Sequence, residues 1–333
     1  MIKTFTWRDY IMAHEVEIID GVAQMAYVGT KPWHNLGTEV PSDVTPEQML
    51  KIAGLDWSVE KVQAYADIAG VKTMLNSTAL VRSTDNKVLD LVSNDWNPVQ
   101  NQEAFEFFND FVLAGDMEMH TAGSLKGGQI VFGLAKVKES FELFGGDQVD
   151  SYLLFTNPHK FGQSIDVRFT PIRVVCNNTL TLALNQNSSN VVKVNHRREF
   201  DGDNVKTMLG IASDKLAKYK EMAQFLGSKK YSEESLKQYF NRVFPVIAYN
   251  KEKGPQRKDL SKSATRALDL VMQQPGAKYA EGSWWQAFNT VTFMTDHVIG
   301  RDADTRLTSA WFGPNKNLKL RALETAVEFA EAA

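Results

Sequence analysis

Cysteine is nearly absent from this 333-residue chain, which holds only Cys176. One thiol cannot close an internal disulfide, so stability has to come from a packed core, and a reducing compartment, most simply the cytoplasm, is expected. No run of about 18 apolar residues occurs either, so a soluble protein with no membrane span is expected. Arg8, Asp9 and Glu15 interrupt the N-terminal stretch, which removes the unbroken apolar segment of a secretory signal. A dominant charge is also missing, since 37 Lys plus Arg against 40 Asp plus Glu give a net −3. That balance excludes a strong non-specific attraction of the whole chain to nucleic acid. The charge is unevenly spread, with −7 on residues 1–200 and +4 on residues 201–333.

The usual catalytic signatures are absent as well. The chain has no Gly-rich phosphate loop ending in Lys-Ser/Thr, no His-Glu-x-x-His, no Cys-x-x-Cys and no Gly-x-Ser-x-Gly. The six histidines, at 14, 34, 120, 159, 196 and 297, show no metal-ligand spacing. No cofactor or resident metal is implied, no catalytic residue is assigned, and an enzyme is the less favoured expectation. "TAGSLKGG" is Gly-rich, but a hairpin turn between two strands accounts for it.

With 43% hydrophobic residues, the chain can fill the cores of about two domains of ~150 residues each. "TPEQMLKIAG" (45–54) reads as a short helix with Thr45 as cap, Pro46 at its first position and Gly54 at its end. Strand patterns follow at 57–65, 78–83 and 87–93, the last two forming a hairpin, and then an amphipathic helix over 101–115. A second hairpin covers 117–137, with further strands near 140–144, 149–156, 163–170 and 190–196. From residue 201 the spacing turns helical, and Ser232, in "SEESLKQYFNRVF", starts a helix that ends before Pro245. Later helices are expected near 263–273, 284–299 and 317–331. The predicted class is α+β: N-terminal antiparallel β-hairpins with packed helices, then a mainly α-helical C-terminal region. The expected domains are residues 1–200 and 201–333.

Binding features are stronger than catalytic ones. "TPIRVVCNNTLTLAL" (170–184) fits a helix starting at Thr170, with Ile172, Val175, Cys176, Thr179 and Ala183 on a core stripe. Arg173, Asn177 and Asn178 then share the other side, a set suited to phosphate and base-edge hydrogen bonds; bonding of the asparagines to neighbouring loops is the plainer alternative. "KVNHRREF" (193–200) gathers Lys193, His196, Arg197 and Arg198. "NPHKFGQSIDVRF" (157–169) adds His159, Lys160, Phe161, Arg168 and Phe169. Cations interleaved with rings match a single-strand track, with charge for the backbone and faces for base stacking. A basic loop, "NKEKGPQRKDLSK", brings Lys251, Lys253, Arg257, Lys258 and Lys262. The Trp33-His34 loop and the Trp284-Trp285 pair fit packing or subunit contact better than ligand stacking.

Four strings in order, "AYVGTKPWHNLGTEV", "AGLDWSVE", "RVVCNNTLTLAL" and "WQAFNTVTFMTDHV", resemble the successive signatures of a phage/plasmid-like protein family whose members carry a domain of unknown function. The likeness spans roughly residues 26–330. It implies a bacteriophage or plasmid setting and no particular activity. At one place the chain departs from the family's acidic His-Asp-Gly-like turn and reads His159-Lys160-Phe161-Gly162. The order helix, strand, hairpin, helix over residues 45–113 is also similar to the opening of single-strand annealing proteins, which form rings around a basic groove.

The expectation is a phage or plasmid DNA-metabolism protein that binds single-stranded DNA, as a homo-oligomer, and promotes annealing or recombination without covalent steps. Lys160, Arg168, Arg173, Lys193, Arg197 and Arg198 would meet phosphates, and Asn177, Asn178 and His196 sugars or base edges. Lys251, Lys253, Arg257 and Lys258 would hold a duplex or partner strand. One rival is a metal-dependent nuclease or nucleotide-processing enzyme using Asp296, His297, Asp302 and Asp304. Another is a factor that binds a phage or host protein and blocks a defence complex.

Overall fold

The computed structural model describes residues 16–29, 36–138, 141–173, 178–179, 191–245, 247–250, 254–257, 260–300, 309 and 313–333. In chain order the elements are β1 (Ile18–Ile19), β2 (Val22–Ala23), β3 (Met25–Val28), β4 (Thr38–Val40), α1 (Pro46–Ile52), β5 (Val59–Ile68), β6 (Val71–Arg82) and β7 (Val88–Val92). Then come α2 (Asn101–Glu106), α3 (Asn109–Leu113), β8 (Met117–Leu125), β9 (Ile130–Val137), β10 (Phe141–Leu143), β11 (Asp147–Pro158), β12 (Ile165–Arg173), β13 (Asn178–Thr179) and β14 (Val191–Val194). The rest is α4 (Gly202–Ser228), α5 (Glu233–Val243), the hairpin β15 (Ile247–Asn250) and β16 (Gly254–Arg257), α6 (Lys262–Leu270), α7 (Trp284–Phe293) and α8 (Pro314–Glu331). The class is α+β, with antiparallel hairpins in the N-terminal part and helices towards the C-terminus. Among the described residues no helix is long and apolar enough to cross a membrane.

Two compact units divide the chain, each assembled from separate stretches. The first takes residues 1–139, 152–169 and 191–211, and the second 140–151, 170–190 and 212–333.

In the first unit, hydrogen bonds run in the order β14–β12–β11–β9–β8–β3–β4, and β5, β6 and β7 make a separate three-stranded sheet. β9–β11, β12–β14, β3–β8, β8–β9, β5–β6 and β6–β7 pair antiparallel, and β3 pairs with β4 in parallel. One core draws on both sheets and the helices: Val59, Leu80 and Leu89 meet Ala122, Val131 and Phe155, with Met49, Leu50, Phe105 and Phe108 filling the space. Local chemistry sets the helix starts. Thr45 and Gln48 exchange side-chain to backbone bonds of 3.2 and 3.0 Å around Pro46, a capping box with proline at the first turn. The β8–β9 turn needs glycine at 128, where φ is +92° and an added Cβ would lie 3.0 Å from both Arg82 and Leu89.

Arg82 is the charged centre of this unit. Its guanidinium spans both Glu17 oxygens (2.9 and 2.8 Å) and both Asp85 oxygens (2.9 and 2.6 Å). It also lies 5.3 Å from the centroid of the Trp57 ring.

The second unit is built around α7, which is buried from Trp284 to Thr292. The Tyr239 hydroxyl donates to the Ala322 carbonyl (3.1 Å), and the Trp285 indole donates to Asp147 (3.4 Å). A π-helical turn, Met294–Val298, follows α7, and Asn315 Nδ2 ties it to α8 through the Thr295 carbonyl at 2.8 Å.

One expectation is overturned. The helix predicted over 170–184 is not formed where the chain is described: Ile172 and Arg173 continue β12 and pair with Thr179 and Asn178 of β13. β-branched residues favour extended backbone, and they outweighed the helix-start signal of Thr170-Pro171.

Candidate functional site

The most organised polar cluster lies in the first unit, around the irregular segment between β7 and α2. Proline at 98 has no N–H and resists helix, and residues 96–100 carry no regular structure. Three alternate positions of this segment are each held by a buried side chain. His196 Nδ1 lies 3.1 Å from the Asn97 carbonyl, Asn157 Nδ2 donates to the Val99 carbonyl at 2.8 Å, and His159 Nε2 lies 2.9 Å from Asn101 Oδ1.

The donors can be assigned. Asn101 Nδ2 donates to the Leu55 and Trp57 carbonyls (3.0 and 3.3 Å), so its Oδ1 accepts and His159 carries its proton on Nε2. His196 faces a carbonyl through Nδ1 and carries its proton there. Both rings also lie against indoles, His159 at 5.4 Å from Trp57 and His196 stacked at 4.0 Å on Trp96. Burial pushes the His159 imidazole down to about 3, with the His196 charge as a lesser cause. Burial also pushes His196 down to about 4, against the opposing pull of the Asn97 and Pro158 carbonyls. Both rings are therefore neutral at pH 7.

Each buried histidine is followed by exposed or half-exposed cations. After His196, the Asn195 side chain and carbonyl accept from the Arg197 and Arg198 backbone N–H groups (both 3.0 Å). This turn leaves Arg197 and Arg198 exposed, and Lys193 on β14 is exposed too. The His196 carbonyl accepts from Asn97 N–H at 2.7 Å, so backbone and ring both fasten the turn to the segment. Following His159, Lys160 is half-buried, with Nζ 3.4 Å from Gln129 Oε1, and Phe161 is 60% exposed. Phe161 N–H is held by Asp90 at 2.9 Å. Arg197 Nε lies 3.1 Å from Asp95, but both side chains are about 60% exposed, and such pairs are worth roughly 0–1 kcal/mol. The Ser93 hydroxyl, more than Arg197, holds the Asp95 carboxyl below its usual range.

Not every residue expected at an open surface is found there. Arg168 is buried and lies 3.2 Å from Asp166; burial disfavours its charge and Asp166 restores part of it. His196 is 1% exposed. The expectation that these two face a strand directly is corrected. Positions 166 and 168 alternate onto one sheet face, and Arg168 is 8% exposed there. Lys193 is the register partner of Asp166 and stays exposed. Arg173 and Asn178 are register partners in β12 and β13, and Arg257 lies in β16. Asn177, Lys251, Lys253, Lys258, Asp302, Asp304 and the Trp33-His34 loop lie outside the described residues. Of the rival metal set, Asp296 lies 2.5 Å from the buried Lys319 ammonium, and the His297 ring lies 5.0 Å from that of Phe293. A buried ammonium on a carboxylate competes with any cation. Among the described residues no group of three or more His, Cys, Asp or Glu can hold a metal ion.

Sequence reading named His159 only as part of a basic string, and it missed Trp57, Trp96, Asn97, Asn101 and Asn157 as parts of this cluster. The signal available was Asn97 and Asn101 flanking Pro98, next to the Trp96 indole.

A family described as Domain of unknown function (DUF932) matches residues 88–311. That is more than half of the chain, which belongs to this family. No curated protein and no solved structure matches the chain.

Proposed function

We propose that this protein holds single-stranded DNA, in a phage or plasmid setting, and promotes annealing without covalent chemistry. The observation that supports this reading is the repeated arrangement of a buried, neutral histidine followed by outward cations, both histidines being fastened to one segment, 97–101. Lys160, Lys193, Arg197 and Arg198 would contact phosphates. Phe161 would offer a ring face for stacking. His159 and His196 act as positioning residues that fix the two turns, and Arg168 supports the sheet face beside Lys193. Asp95 acts as a placeholder that a phosphate displaces, because an exposed ion pair costs little to break.

The test is the annealing of two complementary dye-labelled oligonucleotides, followed by energy transfer. Wild-type protein should accelerate annealing, and Arg197→Ala with Arg198→Ala should remove most of the acceleration while the far-ultraviolet spectrum is unchanged. Acceleration that survives this double substitution, or none from the wild type, would rule the reading out.

A further inference from the structure

The β5–β6 hairpin extends past the reach of β7, which pairs with β6 only from Thr78 to Val81. Beyond that point Tyr65, Ile68, Val71 and Met74 are exposed by 58–66%. Tyr65 pairs with Met74 and Ile68 with Val71, and strand alternation puts the two pairs on opposite faces. A two-stranded ribbon with apolar residues on both faces is marginal in water, and an open strand edge is a template for pairing.

That edge has a readable pattern. Val59 N–H donates to Gln100 Oε1 (2.8 Å), and the Val59 carbonyl accepts from Gln100 Nε2 (3.1 Å). The backbone groups of Val59 therefore point away from β6. Alternation points those of Lys61, Gln63, Tyr65 and Asp67 the same way. The local irregularity leaves β5 continuous, because the extra residues, within Leu75–Ser77 opposite Ala64, belong to β6.

We infer that this edge pairs with β5 of a second copy of the chain, antiparallel about a two-fold axis at Ala64. Charge complementarity selects both occupant and register. An axis at Ala64 sets Lys61 of one copy opposite Asp67 of the other, twice, and Gln63 opposite Tyr65. These are the four residues whose N–H and C=O groups point outward, so the same register satisfies both edges. Val62 of one copy then meets Ala66 of the other, and two marginal ribbons become one four-stranded sheet.

Sedimentation velocity without DNA tests this independently of strand binding. Wild-type protein should be a dimer. Lys61→Glu and Asp67→Lys should each weaken it by about tenfold, since each puts like charges opposite at both pairs. The double substitution should restore it, because the charges are then complementary again. Ala64→Cys with Cys176→Ser should cross-link on oxidation, as residues facing each other in a non-hydrogen-bonded pair have Cα atoms about 4.5 Å apart. Monomeric wild-type protein, a dimer indifferent to both single substitutions, failure of the double substitution to restore it, or no cross-link would each overturn the inference. Circular dichroism of the variants separates lost pairing from lost folding.

Discussion

The His196 imidazole stacks on the Trp96 indole, with ring centroids 4.0 Å apart and planes 20° from parallel. This contact joins the β7–α2 segment to the turn after β14, and it turns a residue from the most basic string of the first unit into an internal anchor. His196→Ala should cost about 2–4 kcal/mol, as other buried large-to-small changes do. It should also weaken oligonucleotide binding by loosening Arg197 and Arg198. Urea unfolding and fluorescence anisotropy on the same variant measure the two effects. Unchanged stability would show that the stack anchors nothing.

Acid should unfold the first unit through its histidines. His159 and His196 titrate at about 3 and about 4 when folded, against about 6.5 in an unfolded chain. Their folded values are depressed, so the unfolded chain binds more protons below pH 6.5. Stability is fully present above that pH and falls as pH drops towards 4, at about 1.4 kcal/mol per unit for each histidine. Urea unfolding between pH 4 and 7 should show this slope, and His159→Gln should reduce it.

Glu17→Gln should destabilise by about 3 kcal/mol, since it strips one partner from a buried guanidinium. Asp85 remains on Arg82 and is partly exposed, which keeps the loss at the lower end of that range. Thermal unfolding gives the value. A loss below that of an ordinary surface change would mean that water reaches Arg82.

In the second unit, Asp296→Ala should cost about 3–5 kcal/mol by taking its carboxylate away from the buried Lys319 charge. Asp296→Leu combined with Lys319→Met should recover most of it. If Asp296→Ala instead left stability intact and abolished a metal-dependent turnover of DNA, the nuclease reading would replace the structural one.

The sequence displayed most of the strands and helices because their signals are local. Thr45-Pro46, Ser232 and the Lys126-Gly127-Gly128 turn sit where capping and turn chemistry place them. The hairpin turn at Ala69-Gly70 was missed; both residues have positive φ, but an alanine there gives no turn signal. Thr170-Pro171 misled because a good helix start was contradicted further on by β-branched residues. The burial of His196 was not legible at all, since its neighbours are polar and Trp96 lies far away in the chain. Arg168 was partly legible: Asp166 two residues earlier on a strand shares its face.

The most direct test is the salt dependence of affinity for a labelled single-stranded oligonucleotide. Four phosphate contacts, from Lys160, Lys193, Arg197 and Arg198, predict that log K falls against log salt with a slope of about −2.8, at about −0.7 per contact. Replacing Arg197 and Arg198 by alanine should bring the slope to about −1.4. A wild-type affinity that ignores salt, or a double variant with an unchanged slope, would contradict strand capture by these turns.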